Sequence, residues 1–514
     1  MPSSFRFSWW DRLLIGIAPK WGLHRVRSRA AATTLARHYE AASTGRRTSG
    51  WHRSSTDANA AAGPALSSLR ELSRDLRRNN GWARRAVQVI ANNTIGWGIA
   101  PKAVGVEPKL AAAALELWNS WADSALCDFD GRMPFYGLER LVMEAVVESG
   151  EALVVRQPAA AADDGLSIPL RLQVLEADYL DTSKDGIAGE SGPIVQGIEL
   201  DGRGRRAAYW LFQSHPGSGR LVGATPGSRR VPASDVLHVY RVERPGQARG
   251  VPWLASAIAR LNDFDDYSDA VLMQQKIAAC FSAFVTDFEG AGTPLGEPSP
   301  KNDALETLEP GHIQYLPPGK TVTFGTPPSV ADNSSFTTSN LRGVAASLGV
   351  TYESMSTDFS MVNFSSARMA RLEHWANVHD WRWNMLIPQL CDGVWRWAME
   401  LAAALNGWPA VPRAEWAPPP MPMLEPDKEG LAYQRLVRTG AMTLSQMIRE
   451  RGEDPERHLA EIAADNARLD ALGIVLDCDP RKTSAAGMTQ AAAGGGAAGG
   501  GDHAEEPATD GEAE

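Results

Sequence analysis

The chain has 514 residues, of which 44% are hydrophobic and 22% are charged, and its formal net charge at pH 7 is −10. These values are typical of a soluble globular protein. No apolar run approaches the ~18–20 residues that a membrane-spanning helix needs, so we expect no membrane partner. The four cysteines lie far apart and form no CxxC or Cys/His cluster, which argues against a zinc site or a disulfide framework.

Basic residues are concentrated at the beginning of the chain. Residues 1–100 contain 16 Lys and Arg against 5 Asp and Glu, although the whole chain is acidic. We predict a basic, partly flexible arm at 1–64, with a contact to nucleic acid or another protein as the alternative. The acidic remainder of the chain argues against tight, sequence-independent DNA binding there. The Ala/Gly-rich acidic tail at 483–514 is predicted to be disordered.

Periodicity predicts helices and then strands after the arm. Four arginines lie roughly on one face of the first helix: Arg70, Arg74, Arg77 and Arg78. We expect that face to meet solvent or a neighbouring subunit rather than DNA. Two more helices are expected at 110–126 and 135–150. Short alternating runs between 151 and 243 then predict a mainly antiparallel sheet packed on these helices.

The next part of the sequence predicts long helices with a loop between two of them. Residues 252–285 carry an apolar stripe at helical spacing and would span about 50 Å as one helix. A Gly/Pro-rich segment at 286–332 precedes a short helix that stops at Gly349. A polar loop follows, and a long helix then begins behind Asn363, with a kink expected at Pro388.

Motifs that would carry out chemistry are sparse in this sequence. Four aspartates cluster within two turns of the helix predicted at 252–285: Asp263, Asp265, Asp266 and Asp269. Metal-dependent nucleases use carboxylate pairs, but the spacing away from the apolar stripe favours a hydrated helix face. Gly319-Lys320-Thr321 resembles the end of a phosphate-binding loop, yet Gln314 stands where that motif needs glycine. We therefore predict no catalytic, cofactor or metal site and no enzyme activity.

The loop behind Gly349 contains no His, Cys, Lys or Arg, so it lacks the usual groups of acid/base or nucleophilic catalysis. Its surroundings, LRGVAASLGVTYESMSTDFSMVNFSSARMARLEHW (341–375), resemble the lambda-type portal proteins of tailed bacteriophages. Further segments resemble the same family in the same order, among them RELSRDLRRNNGWARRAVQVIANNTIGWGIAP (70–101) and RVERPGQARGVPWLASAIARLNDFDDYSDAVLMQQKIAACFSAFV (241–285). The resemblance covers roughly residues 65–480.

The resemblance implies an α+β subunit with several domains that assembles into a ring. It divides the chain into a wing with a β-sheet and helices at 65–251, a first stem helix at 252–285, a small α/β clip at 286–332, a second stem helix at 333–349, a tunnel loop at 350–363, a long wing helix at 364–407, a Pro-rich connector at 408–426 and a helical crown at 427–482.

In this family the loop lines a tunnel for double-stranded DNA. The resemblance therefore makes four loop residues candidates for facing DNA: Met355, Asp358, Phe359 and Met361. Asp263 and Asp266 are candidates for a hydrated stem face on the channel wall. Twelve stem helices about 10 Å apart would leave a bore near 28 Å, which admits a B-DNA duplex about 20 Å wide.

The function that the resemblance implies is a ring, expected to have twelve copies, at one capsid vertex. DNA would enter through it during packaging and leave through it during ejection. The implied partners are further copies of the chain, the DNA, the terminase motor, the major capsid protein or scaffold, and a head–tail adaptor, with no cofactor. The protein would belong to the virion after assembly in the host cytoplasm.

Two other functions stay open on the residues alone. One is a metal-dependent nuclease or DNA-processing enzyme that uses the aspartates between Asp263 and Asp269. The other is a DNA-binding scaffold that uses the basic N-terminal hundred residues.

Overall fold

The computed structural model describes residues 55–159, 165–218, 227–280, 284–287, 320–323, 333–453, 455–476, 479 and 481–482. The chain divides into two compact units, residues 1–61 and 62–514. Most of the predicted arm and the whole predicted tail lie outside the described residues. A short helix, α1 (Ala58–Ala62), is the first described element, and the second unit contains the other elements given below.

Four helices come early in the second unit and contribute to its core. Their bounds are α2 Leu66–Asn79, α3 Gly81–Ile95, α4 Pro108–Ala122 and α5 Phe135–Ser149. Asn80 separates α2 from α3, and its side-chain oxygen caps α3 by accepting a hydrogen bond from the Ala83 N–H. Gly150 ends α5 with φ at 90°, a conformation that glycine adopts without a steric penalty. The helices predicted at 110–126 and 135–150 are confirmed.

Two antiparallel sheets lie between α5 and residue 240. The strands of the described residues up to that point are β1 Ala100–Val104, β2 Glu151–Pro158, β3 Leu170–Glu176, β4 Ile194–Val195, β5 Ile198–Leu200, β6 Arg206–Phe212, β7 Ser228–Pro232 and β8 Val236–Tyr240. The spatial order is β3-β2-β8 in one sheet and β4-β5-β6-β7 in the other. The predicted antiparallel sheet is therefore confirmed, as two sheets rather than one.

Aromatic side chains fill the centre of the core. Trp118 and Trp121 of α4 are completely buried. The ring of Trp118 lies 5.2 Å from that of Phe135 and 5.0 Å from that of Trp395, and the Trp121 indole N–H donates a 2.8 Å hydrogen bond to the Leu170 carbonyl. Aromatic pairs at such distances add about 0.5–1.5 kcal/mol beyond the area that they bury. This cluster holds α4 and α5 against β3 and against the helix that contains Trp395.

The later helices surround the predicted loop. Their bounds are α6 Ile258–Cys280, α7 Asn333–Leu348, α8 Tyr352–Ser356, α9 Phe364–Trp381 and α10 Asp392–Asn406. α6 has 23 residues, which corresponds to about 35 Å. It begins six residues later than predicted, because Trp253–Ser256 forms a 3₁₀ turn whose Trp253 and Leu254 are buried.

Residues 382–391 join α9 to α10 as a π-helical segment that contains Pro388. A π-helix has i→i+5 hydrogen bonds in place of i→i+4. Proline has no amide hydrogen and cannot donate the usual helical hydrogen bond. The wider π-helical spacing accommodates this missing bond. The structure thus shows a change of helix type where the sequence predicts a kink.

The regions predicted as clip and crown are described in part. β9 (Phe284–Asp287) pairs antiparallel with β10 (Lys320–Thr323), and the rest of 286–332 lies outside the described residues. Lys320 and Thr321 belong to a strand, whereas a phosphate-binding loop needs them at the start of a helix. The remaining elements are β11 Arg413–Ala417, which pairs with β1, and the helices α11 Pro426–Arg438, α12 Leu444–Glu450 and α13 Pro455–Leu472.

The division of the chain into wing, stem, clip, connector and crown stays a prediction. Within the ranges given above, no helix combines the length and the apolar composition that crossing a bilayer requires.

Candidate functional site

The predicted loop begins at a tight turn around Gly349. This residue follows α7 with φ at 70°, a left-handed conformation that favours glycine. The Val350 N–H donates to the Ala345 carbonyl and the Gly349 N–H donates to the Ala346 carbonyl, which are the paired hydrogen bonds of a Schellman motif. α7 therefore ends in a defined turn that directs the chain into the loop.

The first part of the loop is a one-turn helix with a buried side. Thr351 caps α8, because its hydroxyl oxygen accepts a 3.1 Å hydrogen bond from the Ser354 N–H. Met355 is 1% exposed and belongs to the same core as Leu341 and Val344 of α7. The structure contradicts the prediction that Met355 faces DNA, because α8 turns this side chain into the core.

The second part of the loop, Thr357–Met361, is exposed, and we call it the loop tip. Thr357 has φ at 58°, which is uncommon for a residue other than glycine, and there the chain leaves α8. Phe359 is 63% exposed and Met361 is 86% exposed, and Asp358 is exposed as well. Three of the four predicted loop residues therefore lie together on the surface, while their contact with DNA stays a prediction.

The loop carries negative charge. Hydrogen bonds from the side chain and the N–H of Ser360 hold the pKa of Asp358 below its usual value, and the Tyr352 hydroxyl donates a 3.2 Å hydrogen bond to Asp358 Oδ2. Residues 350–363 contain two acidic residues, Glu353 and Asp358, and no Lys or Arg. A segment of this composition repels DNA phosphates rather than binding them.

Asn363 begins the helix after the loop, as the sequence predicts. Its side-chain oxygen accepts a 2.8 Å hydrogen bond from the Ser366 N–H, and the Ser366 hydroxyl oxygen accepts a 3.1 Å hydrogen bond from the Asn363 N–H. This reciprocal arrangement is a capping box. The far end of the loop is therefore fixed by a well-capped helix.

The aspartates of α6 lie on its solvent-exposed side. Asp263 and Asp266 are exposed, whereas Leu261 and Phe264 of the same helix are buried. Asp265 accepts hydrogen bonds of 2.9 and 2.8 Å from the side-chain amide of Asn80. α6 thus has the exposed face that its spacing predicts, and a place for that face on a channel wall stays a prediction.

The described residues do not gather the α6 aspartates into a metal site. In this part of the chain, the one group of three ligand-type side chains whose atoms lie within 4.8 Å of one another is Glu176, Asp178 and His215. Arg74 Nη2 lies 2.9 Å from the Glu176 carboxylate and 2.5 Å from that of Asp178, so a guanidinium already pairs with both carboxylates. Among the described residues, the arrangement of side chains gives the nuclease alternative no support.

Three of the four arginines on α2 pair with carboxylates of other elements of the chain, whereas Arg78 lies 3.6 Å from the carboxylate of Asp75 within α2 itself. The pairs are Arg70–Glu151, Arg74–Asp178, Arg77–Glu144 and Arg77–Glu148. The expectation that this face meets solvent is wrong for Arg70, which is buried against Glu151, while Arg74 and Arg77 stay partly exposed beside carboxylates of α5 and of the segment after β3. A contact of this face with another subunit stays a prediction. Arg78 alone of the four is strongly exposed, at 72% of its side chain.

Comparison with known proteins decides which family these features belong to. The family model described as phage portal protein, lambda family, matches residues 44–382, which is more than half of the chain. The chain belongs to the lambda family of phage portal proteins. The resemblance carried by residues 70–101, 241–285 and 341–375 is therefore confirmed, as are the α+β fold class and the assignment as a phage portal protein.

Individual portal proteins are similar to this chain over most of their length. The chain is 26% identical over 425 residues to a probable portal protein of Halomonas phage phiHAP-1, covering 79% of this chain and 81% of that protein. It is 24% identical over 368 residues to portal protein B of Escherichia phage lambda, covering 63% and 67%. It also matches a chain in the solved neck of an empty gene transfer agent particle, with 15% identity, a TM-score of 0.47 and coverage of 76% and 94%.

The side chains that hold the loop at 350–363 in place were not predicted from the sequence. Arg85 of α3 donates a 3.2 Å hydrogen bond from Nε to the Ser354 carbonyl, and His374 and Asn377 of α9 contact the Gly349 carbonyl. These residues carry no local pattern that points to the loop. Sequence reasoning could have found His374 only as a histidine on the buried side of a helix.

Proposed function

We propose that this portal protein forms a closed ring at one capsid vertex and that double-stranded DNA passes through its bore. The observation that carries the proposal is the loop tip Thr357–Met361, which is exposed and belongs to an acidic loop without Lys or Arg. Each Lys or Arg on a phosphate would add affinity by releasing counterions. A duplex that must slide needs a lining without such contacts.

A ring of twelve copies would accommodate a duplex. Twelve stems about 10 Å apart form a circle about 38 Å across, and subtracting one helix diameter leaves a bore of about 28 Å. A duplex about 20 Å wide then has a gap of about 4 Å on each side. Side chains of the length of Phe359 and Met361 reach across such a gap, and Asp358 keeps the phosphates from adhering.

In this proposal the chain is a structural part of the virion rather than an enzyme. A separate terminase would supply the energy of packaging while bound at the clip, 286–332, and a head–tail adaptor would later use the same end. The major capsid protein or a scaffold would contact the wing, 65–251. Assembly of the ring would take place in the host cytoplasm.

Photo-cross-linking in DNA-filled particles tests the DNA contact directly. Benzoylphenylalanine placed at Phe359 or Met361 is expected to cross-link to DNA. The same group placed at Leu405, an α10 residue that is 59% exposed, is the control and is expected to give no DNA cross-link. Particles that are filled with DNA but show no cross-link from either loop position would contradict the proposal.

Incubation of the purified chain with plasmid and Mg²⁺ or Mn²⁺ tests the nuclease alternative. We expect the plasmid to stay intact. Cutting that disappears in the Asp266→Asn variant would replace the structural proposal by an enzymatic one.

A further inference from the structure

The base of the loop is held by two side chains that meet at one backbone atom. His374 Nδ1 lies 3.0 Å from the Gly349 carbonyl oxygen, and Asn377 Nδ2 donates a 3.1 Å hydrogen bond to the same oxygen. Residues three apart on a helix share a face, so α9 presents both groups together. A carbonyl oxygen has two lone pairs, and these two contacts use both of them.

His374 is buried, and its contact with Gly349 is the hydrogen bond that its ring makes. The residue is 5% exposed, and within the described part of the chain its Nε2 atom has no hydrogen-bond partner. Burial lowers the pKa of His374, so the ring is neutral at pH 7 and carries its proton on Nδ1 when it donates to Gly349. The buried Nε2 without a partner destabilises the fold. The hydrogen bond from Nδ1 to Gly349 partly offsets the free-energy cost of burying the ring.

The helix after Gly349 is held from two further directions. Arg85 of α3 donates to the Ser354 carbonyl at 3.2 Å, and the guanidinium of Arg342 on α7 lies 5.5 Å from the centre of the Tyr352 ring. Met355 is packed in the core. Residues from Gly349 to Ser356 are thus attached to three helices.

The loop tip has a different kind of contact. Its hydrogen bonds join near neighbours in the sequence: the Asp358 N–H donates to the Ser356 hydroxyl and the Ser360 N–H donates to Asp358 Oδ1. Thr357 to Met361 are all exposed. The change from long-range to local contacts occurs at Thr357, whose φ is positive.

We infer that His374 and Asn377 are positioning residues for DNA passage, because they fix the base of the loop to α9 and make Thr357 the pivot of the loop tip. This inference rests on the proposed function, in which Asp358, Phe359 and Met361 face the duplex. A rigid base sets the depth to which the tip enters the bore. Loss of the α9 contacts leaves the loop base held only by α3, α7 and the packing of Met355, so the turn at Gly349 becomes looser and the tip loses its defined distance to DNA.

The test compares variants at the two positions in the full-length chain. The double variant His374→Leu/Asn377→Leu removes both donors at similar volume, and Asn377→Leu alone is the milder form. His374→Asn is the conservative variant, because the amide nitrogen of Asn takes a place close to that of Nδ1. Asn384→Leu is the matched control, because Asn384 bonds Asp380 at the surface at 2.6 Å and does not contact Gly349.

Two readouts are measured on each variant. The first is amide hydrogen exchange of residues 349–363, which we expect to accelerate about tenfold or more in the double variant, since two hydrogen bonds are lost. The second is the DNA cross-link from benzoylphenylalanine at Met361 in filled particles, which we expect to fall several-fold. His374→Asn should keep both readouts close to wild type, and Asn384→Leu should leave them unchanged.

The outcomes separate this inference from the proposed function. Unchanged exchange and cross-linking in the double variant would overturn the positioning role. Global unfolding of both the double variant and Asn377→Leu would overturn it too, since the residues would then determine the fold as a whole. Absence of the Met361 cross-link in the wild type would contradict the proposed function, while the exchange measurement would still decide whether α9 fixes the loop base.

Discussion

The guanidinium of Arg249 lies 2.5 Å from the carboxylate of Glu151, and both side chains are almost completely removed from solvent. Glu151 is the first residue of β2, and its other oxygen accepts a 2.8 Å hydrogen bond from the Gly250 N–H and lies 2.8 Å from His238 Nε2. Arg249 also donates to the Gln196 carbonyl. This network joins both sheets to the segment that leads into α6, so α6 follows a firmly held segment.

Replacing Arg249 by Met should strongly destabilise the fold. The variant leaves the Glu151 carboxylate buried without its main partner, and breaking a buried pair in this way costs about 3–5 kcal/mol. The measurement is the free energy of unfolding by urea under conditions in which the chain is monomeric. Arg205→Met is the control, because the Arg205–Asp201 pair is exposed and should contribute less than about 1 kcal/mol. Equal effects of the two substitutions would contradict this assignment.

Glu139 makes stability depend on pH in a defined direction. It is completely buried in α5, and this burial raises its pKa to about 8, against hydrogen bonds from the Ile99 N–H and the Cys391 thiol that lower it. Between the unfolded pKa of 4.5 and the folded pKa, the folded chain holds a proton that the unfolded chain releases. This contribution to stability is therefore full below pH 4.5 and is lost as the pH rises towards 8.

The Glu139→Gln variant should remove that dependence. Its stability relative to wild type should rise between pH 5 and pH 8 by up to about 4 kcal/mol. The measurement is the unfolding midpoint temperature of both proteins across this range. Glu116→Gln, at an exposed position of α4, shows what the loss of a surface charge does. Parallel curves for wild type and Glu139→Gln would contradict the account.

Arg382 links the Pro-rich segment around Pro419 to α3, and its removal should loosen that attachment. The buried guanidinium donates hydrogen bonds of 2.6, 2.9 and 2.8 Å to the carbonyls of Thr94, Asn93 and Pro419. Burial lowers its pKa to about 10, which leaves it charged at neutral pH. We expect Arg382→Met to destabilise the chain by about 3 kcal/mol, since three buried carbonyls lose their donors.

Thermal unfolding and hydrogen exchange at residues 413–423 check this prediction. Arg382→Lys keeps the charge but cannot donate to all three carbonyls in the same geometry. Its stability should therefore lie between that of Arg382→Met and that of the wild type. Arg396→Met, on the exposed side of α10, should change the free energy of unfolding by no more than about 0.5 kcal/mol relative to wild type. An Arg382→Met variant as stable as the Arg396→Met variant would be inconsistent with a fastening role.

Two helix-terminal glycines form a matched pair for testing the turn before the loop. Gly349 and Gly407 both have a left-handed φ, 70° and 62°. A Cβ at Gly407 would meet nothing within 4 Å, whereas one at Gly349 would lie 3.2 Å from Asn377 Nδ2 and 3.4 Å from Trp381. Gly407→Ala should cost the conformational penalty of about 1–2 kcal/mol. Gly349→Ala should lower the free energy of unfolding by about 1 kcal/mol more, as measured by thermal unfolding. Equal losses of stability in the two variants would contradict the close packing of the loop base.

The sequence predicted the parts of this fold that single residues decide. Gly150 and Gly349 end helices because their backbone conformation favours glycine, and Asn363 begins one because its side chain caps the first turn. Alternating runs likewise predicted the strands that follow Gly150. These signals act within a few residues and can be seen without knowing the fold.

Partners that are distant in the chain could not be predicted. Arg70 looks like one member of a surface row until Glu151, 81 residues away, is placed beside it. Met355 looks like part of an exposed loop, because α8 is a single turn and too short to show a periodicity. For the same reason the loop tip was predicted together with a residue that the structure buries, and the α9 residues that hold the loop were not predicted at all.

A single-particle cryo-EM reconstruction of the vertex of DNA-filled particles tests the central claim most directly. The account predicts a closed ring of this chain with a duplex in its bore and with Asp358, Phe359 and Met361 as the residues nearest to that duplex. A ring whose bore is blocked by protein, or a ring in which residues 357–361 face away from the DNA, would contradict it.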